Sequence, residues 1–170
     1  MRSDGFAHFG LTVTSIERTA EFYSSHFGFE VPREVFEYET PWIGKLVGHD
    51  GARVRLGFLA IADVLIELHQ YRCPEGHERV VPDTTYVGCP HIAIRVEDVE
   101  ATYHRLLDEG VEFISPPQAI TDGAFAGYVC AYCRDPDGLI VEITQPPAAA
   151  AQAGLELTMP GVAGLRAPPE

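Results

Sequence analysis

The chain of 170 residues carries 25 acidic and 12 basic side chains, which give a formal net charge of −13. Such an excess of negative charge opposes binding to nucleic acids and to anionic membrane surfaces. The hydrophobic fraction of 46% is ordinary for a globular protein, and the length allows a sizeable core. No apolar run approaches the roughly 20 residues of a membrane span, and the opening MRSDGFAHFG lacks the pattern of a signal peptide. We therefore expect a cytoplasmic protein that contacts neither nucleic acid nor membrane.

The first half of the chain predicts the order βαβββ. An alternating strand begins at His8, and a helix over residues 16–26 follows the capping residues Thr14 and Ser15. Gly28 suits the left-handed position that ends such a helix. Three further strands are predicted, over residues 29–38, 53–60 and 64–71.

The second half repeats this order, which indicates an internal duplication. A strand begins at His91, a helix covers residues 99–109, and Gly110 follows it. Strands are predicted over residues 111–114, 127–134 and 139–145, the last two joined by the turn sequence DPDG. The predicted fold is therefore α+β, with two βαβββ modules (about 5–72 and 88–146) forming a curled, mixed, antiparallel-rich sheet around a metal site. Both modules belong to one domain over residues 5–146.

Two other sequence features carry less information. Residues 147–170 form an Ala- and Pro-rich extension without strand alternation, which wraps the domain, covers a partner subunit or stays loose. Cys130 and Cys133 form a CxxC motif, but it falls inside a predicted strand, where residues three apart point to opposite faces. We interpret these cysteines as isolated reduced thiols in the core.

The candidate metal ligands are His8, Glu67, His91 and Glu142, one His followed by one Glu in each half. Strand alternation places all four on the face that does not pack under a helix. A carboxylate in the middle of an apolar strand is costly to bury unless it is paired or bound to a metal. Imidazole and carboxylate suit a divalent ion such as Zn, Ni, Co, Mn or Fe, so the sequence predicts a metal site.

The segments HFGLTV, VLIELHQY, HIAIRVEDVEATYHRLLDEGV and DPDGLIVEI resemble the vicinal oxygen chelate superfamily. That superfamily includes glyoxalase I, methylmalonyl-CoA epimerase, extradiol dioxygenases and the fosfomycin- and bleomycin-resistance proteins. The resemblance implies that the metal ligands fall on the same four residues. Two residues of this sequence differ from the glyoxalase I pattern: Thr12 and Tyr71 stand where glyoxalase I usually has an Arg and an Asn that hold glutathione.

The predicted chemistry is Lewis-acid activation of a small molecule with neighbouring oxygens, which acidifies the adjacent C–H. Glu142 and Glu67 are the candidate bases for the proton transfer of an isomerase or lyase. His69 is either a partner of Glu67 that relays protons or a half-exposed polar residue. The residues proposed to line the substrate cavity are Trp42, Phe125 and Tyr128, although each could equally belong to the core. Residues 123–127 (GAFAG) form either a mobile lid or a tight turn.

Two other functions stay open at this stage. An Fe(II)-dependent dioxygenase would use two His and one Glu, and it would leave Glu67 unbound. A drug- or metabolite-binding resistance protein would bind its ligand without the four polar residues. In each case the partner is a small molecule, and we expect a homodimer, with the modules pairing either within the chain or between subunits.

Overall fold

A computed structural model describes residues 5–31, 33–74 and 81–148. The chain divides into two compact units: a first unit of Met1–Val81 with Asp135–Gly138, and a second unit of Pro82–Arg134 with Leu139–Glu170. Nearly all of the predicted extension lies outside the described residues. No helix within the described ranges is long and apolar enough to cross a membrane.

The first unit contains a four-stranded mixed sheet. Its strands lie in the order β1-β4-β3-β2, with β1 parallel to β4 and the other neighbours antiparallel. Helix α1 packs on β3 and β4. The elements in chain order are β1 (Phe9–Thr12), α1 (Ile16–Phe27), β2 (Phe36–Tyr38), α2 (Pro41–Val47), β3 (Arg53–Ile61) and β4 (Val64–Cys73).

The second unit has the same topology, with strands in the order β5-β8-β7-β6 and β5 parallel to β8. Helix α3 packs on β7 and β8. The α+β fold with duplicated mixed sheets, predicted from the sequence, is confirmed. The elements are β5 (His91–Arg95), α3 (Val99–Asp108), β6 (Gln118–Ala119), β7 (Val129–Arg134) and β8 (Ile140–Gln145).

Local sequence fixes both ends of the two long helices. The side chains of Ser15 and Asp98 accept hydrogen bonds from the backbone N–H groups of Arg18 and Ala101, and so cap the N-termini of α1 and α3. Gly28 ends α1 with a φ of 72°, a left-handed conformation that favours glycine. The start of each helix and the end of α1 therefore follow from short-range signals.

Alternation along β4 separates the core from the candidate site. Ile66, Leu68 and Gln70 are buried on the face that packs under α1, whereas Glu67 and His69 alternate with them and are half-buried. The second unit follows the same rule, with its helix covering one face of β7 and β8. The largest fully buried side chains include Tyr23, Leu59, Ile66 and Leu68 in the first unit and Leu106, Ile140 and Ile143 in the second.

Three predictions about local structure were wrong. The strand expected over residues 29–38 is reduced to Phe36–Tyr38, with a single bridge between Glu30 and Ala60. Pro32, within that run, has no N–H to donate to a sheet. The strand expected over residues 111–114 is a single bridge between Phe113 and Cys133. Helix α2 was not predicted at all, although proline in its first turn favours a helix start there.

Candidate metal centre

The first unit brings His8 and Glu67 together. His8 Nε2 lies 3.2 Å from Glu67 Oε2, and the exposed fractions of the two side chains are 42% and 15%. Glu67 lies in the middle of β4, where Gly10 of β1 is its register partner. His8 was predicted to lie on a strand, but β1 begins one residue later, at Phe9.

His69 makes a second contact with the same carboxylate. Its Nε2 atom lies 2.7 Å from Glu67 Oε2, so the imidazoles of His8 and His69 contact the same oxygen. His69 is two residues from Glu67 on the same strand, and alternation therefore puts both side chains on one face. This contact is the one through which His69 would act as a partner of Glu67, and that role stays a prediction.

The second unit repeats the pair with His91 and Glu142. His91 Nε2 lies 3.3 Å from Glu142 Oε2, and the exposed fractions are 49% and 16%. These values nearly match those of the first unit, so the duplication preserves the geometry as well as the residue types. In both units an accessible imidazole covers a largely buried carboxylate, and the pairing offsets part of the cost of burying that charge.

The donor chemistry of these pairs suits a divalent ion, since imidazole nitrogen and carboxylate oxygen are its common ligands in proteins. Within residues 5–31, 33–74 and 81–148, no group of three or more His, Cys, Asp or Glu side chains is placed to hold a metal ion. The imidazole nitrogens point at the carboxylate oxygens rather than at a common centre. The first unit thus gathers His8, Glu67 and His69, and the second gathers His91 and Glu142. These side chains are of the types that bind a divalent ion, but their arrangement fits one only in part.

Sequence reasoning missed three polar residues beside Glu142. Tyr132 is its direct cross-strand neighbour on β7, and its ring lies edge-on to that of His91 with centroids 5.7 Å apart. Cys130 Sγ lies 3.2 Å from Thr144 Oγ1 on the same side of the sheet. Burial raises the pKa of Tyr132 and of Cys130, the hydrogen bond with Thr144 lowers that of Cys130, and the charge of Glu142 raises the pKa of both.

The corresponding neighbours of Glu67 in the first unit are apolar. Phe58 is its direct partner on β3, and Leu56 is the partner of His69. The ring of Phe36 on β2 lies 6.4 Å from that of Phe58. The two carboxylates therefore occupy equivalent positions in the fold but have different chemical surroundings.

The three aromatic residues predicted to line a cavity lie on different elements. Trp42 lies on α2 with half of its surface exposed, and the centroid of its ring is 5.3 Å from that of Tyr38. Phe125 and Tyr128 contact each other, with ring centroids 6.0 Å apart. Residues 123–127 form a short helical turn in which Ala126 N–H donates to the carbonyl of Gly123.

A duplicated α+β fold that presents a His–Glu pair at the same place in each half defines a class of proteins that are built from two similar modules and act on small molecules. The chain belongs to the Glyoxalase/Bleomycin resistance protein/Dioxygenase superfamily, whose family model matches residues 5–143. The resemblance to the vicinal oxygen chelate superfamily, stated from the sequence segments, is confirmed.

Three relatives illustrate the similarity. A 2-epi-5-epi-valiolone epimerase from Actinomyces sp. is 30% identical over 147 residues, covering 84% of this chain and 80% of the relative. The crystal structure of a glyoxalase family protein from Bacillus cereus has a TM-score of 0.70 at 18% identity and covers 84% of this chain and 93% of that chain. The fosfomycin resistance protein FosX from Listeria monocytogenes has a TM-score of 0.56 at 20% identity, covering 88% and 98%. At these identities the two structures indicate the fold alone.

Proposed function

We propose that this protein is a divalent-metal-dependent epimerase that moves a proton at a carbon next to a carbonyl group of a small, oxygen-rich substrate. The observation that carries the proposal is the repeated pairing of His8 with Glu67 and of His91 with Glu142 at nearly equal distances. The name of the Actinomyces relative, an epimerase for a compound whose "-one" ending denotes a ketone, supports this class of reaction.

The same four residues would hold the ion. When bound, a divalent ion supplies Lewis-acid polarisation of the substrate carbonyl, which lowers the pKa of the neighbouring C–H. An isolated pair offers only two donors, fewer than the four that Zn²⁺ usually takes, so we propose that both pairs serve one ion.

The carboxylates of Glu67 and Glu142 carry the proton transfer. One of them accepts the proton from the substrate carbon, and the C–H electron pair moves onto the carbonyl oxygen to give an enolate. A proton from solvent, relayed through the other glutamate to the opposite face of that carbon, inverts the stereocentre, and the proton held by the first glutamate returns to solvent. The reaction consumes no oxidant. His69, 2.7 Å from Glu67, orients that carboxylate.

The substrate-binding residues and the assembly are also proposals. Trp42, Phe125 and Tyr128 are proposed to contact the substrate, and a homodimer is proposed as the assembly. Retention of two largely buried Glu side chains favours catalysis over simple binding, because a cavity that only sequesters a ligand does not need them.

Metal content is the first test. We expect the full chain to bind a divalent ion, and His8→Ala and His91→Ala each to lose it, as measured by elemental analysis after dialysis. His104→Ala is the matched control, because His104 is an exposed residue of α3. If each unit bound its own ion, either substitution would remove half of the metal. Unchanged metal content in both variants would contradict the proposed centre.

Proton exchange is the second test. In D₂O, a ketone such as 2-epi-5-epi-valiolone should lose one C–H signal by NMR as the enzyme turns over. Glu67→Gln and Glu142→Gln should each slow this exchange by roughly 10²–10⁴-fold, the usual contribution of a general base. Glu21→Gln, on the exposed side of α1, serves as the control. Oxygen uptake without C–H exchange would instead identify a dioxygenase.

A further inference from the structure

Tyr132 occupies a distinctive place beside the second His–Glu pair. It is the residue directly opposite Glu142 in the β7–β8 ladder, so its side chain projects on the same face as the carboxylate. Its ring is also edge-on to the His91 imidazole, at 5.7 Å and an interplanar angle of 79°. A phenol is protonated at neutral pH, and burial together with the charge of Glu142 raises the pKa of Tyr132, so its hydroxyl remains a hydrogen-bond donor beside this carboxylate.

The first unit has different residues around its carboxylate. At the position equivalent to Tyr132 it has Phe58, which cannot donate a hydrogen bond. At the position two residues past the carboxylate it has His69, whose Nε2 lies 2.7 Å from Glu67, where the second unit has Thr144. In addition to the paired imidazole, each unit therefore places a polar side chain beside its carboxylate, on the carboxylate's own strand in the first unit and on the neighbouring strand in the second.

We infer that Tyr132 is a positioning residue that orients the Glu142 carboxylate towards the metal ion, as His69 orients Glu67. The inference rests on the proposed metal-dependent function and adds a residue to it. Hydrogen bonds to ligating carboxylates hold one oxygen and direct the other, so their loss weakens binding without removing a ligand.

The test compares Tyr132→Phe with the wild-type chain, using Co²⁺ as the probe. The substitution removes the hydroxyl and keeps the ring against His91. We expect the Co²⁺ affinity, measured by equilibrium dialysis, to fall by roughly 10–100-fold. The visible absorption spectrum of the remaining bound Co²⁺ should change, because it reports ligand geometry. Tyr103→Phe is the matched control, since Tyr103 lies on α3 and its ring contacts Phe113.

A second variant imports the arrangement of the first unit. Thr144→His, added to Tyr132→Phe, places an imidazole two residues past Glu142, as His69 is placed after Glu67. We expect it to restore part of the lost affinity, which a general loss of structure would not allow. A Tyr132→Phe protein with wild-type affinity and spectrum overturns this inference and leaves the metal centre standing. A wild-type chain that binds no Co²⁺ overturns the metal centre, and this inference with it.

Discussion

The two units share a topology and a His–Glu pair, yet they surround the carboxylate differently. Glu67 is contacted by two imidazoles and lies beside apolar Phe58. Glu142 is contacted by one imidazole and lies beside Tyr132, a residue with a hydroxyl group. The duplication has therefore kept the His–Glu pair in each unit and changed the side chains around it. The two halves are equal in geometry and unequal in chemistry.

The opposite faces of the sheets show the same division between kept and changed positions. A glutamine three residues past each carboxylate bonds to the start of the nearby helix: Gln70 donates to the carbonyl of Thr14, and Gln145 accepts from the N–H of Val99. The strand partner of Gln70 is Arg55, but the partner of Gln145 is Val129. The first unit thus has a polar network at this point where the second has a single bond.

The largest expected effect on stability comes from Gln70→Ala. Gln70 is buried and makes two hydrogen bonds, to the Thr14 carbonyl at 2.9 Å and from Arg55 at 2.7 Å. With each bond worth about 1–1.5 kcal/mol, the substitution should lower the free energy of unfolding by about 2–3 kcal/mol. Gln145→Ala loses one bond and should cost about 1 kcal/mol. Urea denaturation measures both, and equal losses would mean that the two units are held alike.

A smaller effect is expected where the central strand passes under the helix. A Cβ added at Gly57 would lie 2.7 Å from Ile16 Cγ2, and Ile16 is β-branched and stiff. The second unit has Ala131 in place of Gly57 and Val99 in place of Ile16. Its strand residue is thus one carbon larger and its helix residue one carbon smaller. Gly57→Ala should lower the free energy of unfolding by about 1–2 kcal/mol, since overpacking outweighs the entropy gained by losing a glycine.

The second unit supplies the control for this substitution. Ile16→Val combined with Gly57→Ala recreates the pair found in the second unit, and the double variant should lose less stability than the sum of the two single ones. Strict additivity in urea denaturation would show that the helix and strand residues do not share this volume. A Gly57→Ala protein as stable as wild type would contradict the close approach itself.

Topology and the candidate ligands could be predicted from the sequence because both depend on short-range patterns. Alternation assigns Glu67 and Glu142 to one face, and helix caps such as Ser15 and Gly28 fix where helices start and end. The register of β7 and β8 could not be predicted in the same way. The turn of residues 135–138 would by itself pair Arg134 with Leu139, whereas the structure pairs Arg134 with Ile140 and therefore Tyr132 with Glu142.

Other features could not be predicted because long-range packing decides them. The run around Phe36 has strand-like composition, but only three residues pair with β3. Helix α2 is seven residues long, too short for periodicity to reveal. It is held by a small cluster in which Ile43 packs with Ala52 and Val54. These contacts join segments whose proximity no local pattern encodes.

The smallest expected effect is a pH-dependent difference in stability between substitutions at the N-termini of α1 and α3. Glu17 in α1 accepts a hydrogen bond of 2.6 Å from Arg55, which lowers its pKa from 4.5 to about 2. Its counterpart in α3 is Glu100, and at the position of Arg55 the second unit has Val129. Both acids interact favourably with a helix N-terminus, so the difference between them isolates the contribution of Arg55.

Because its pKa is lower in the folded state, the Glu17 carboxylate stabilises the protein fully above pH 4.5 and loses this effect as the pH falls through about 2. Its side chain is 61% exposed, so solvent screening limits the contribution to about 0.2–1 kcal/mol. In urea denaturation, Glu17→Gln should be less stable than Glu100→Gln at pH 7, and the gap should close between pH 4.5 and pH 2. A gap that is the same at both ends of this range would mean that the ion pair with Arg55 does not stabilise the first unit.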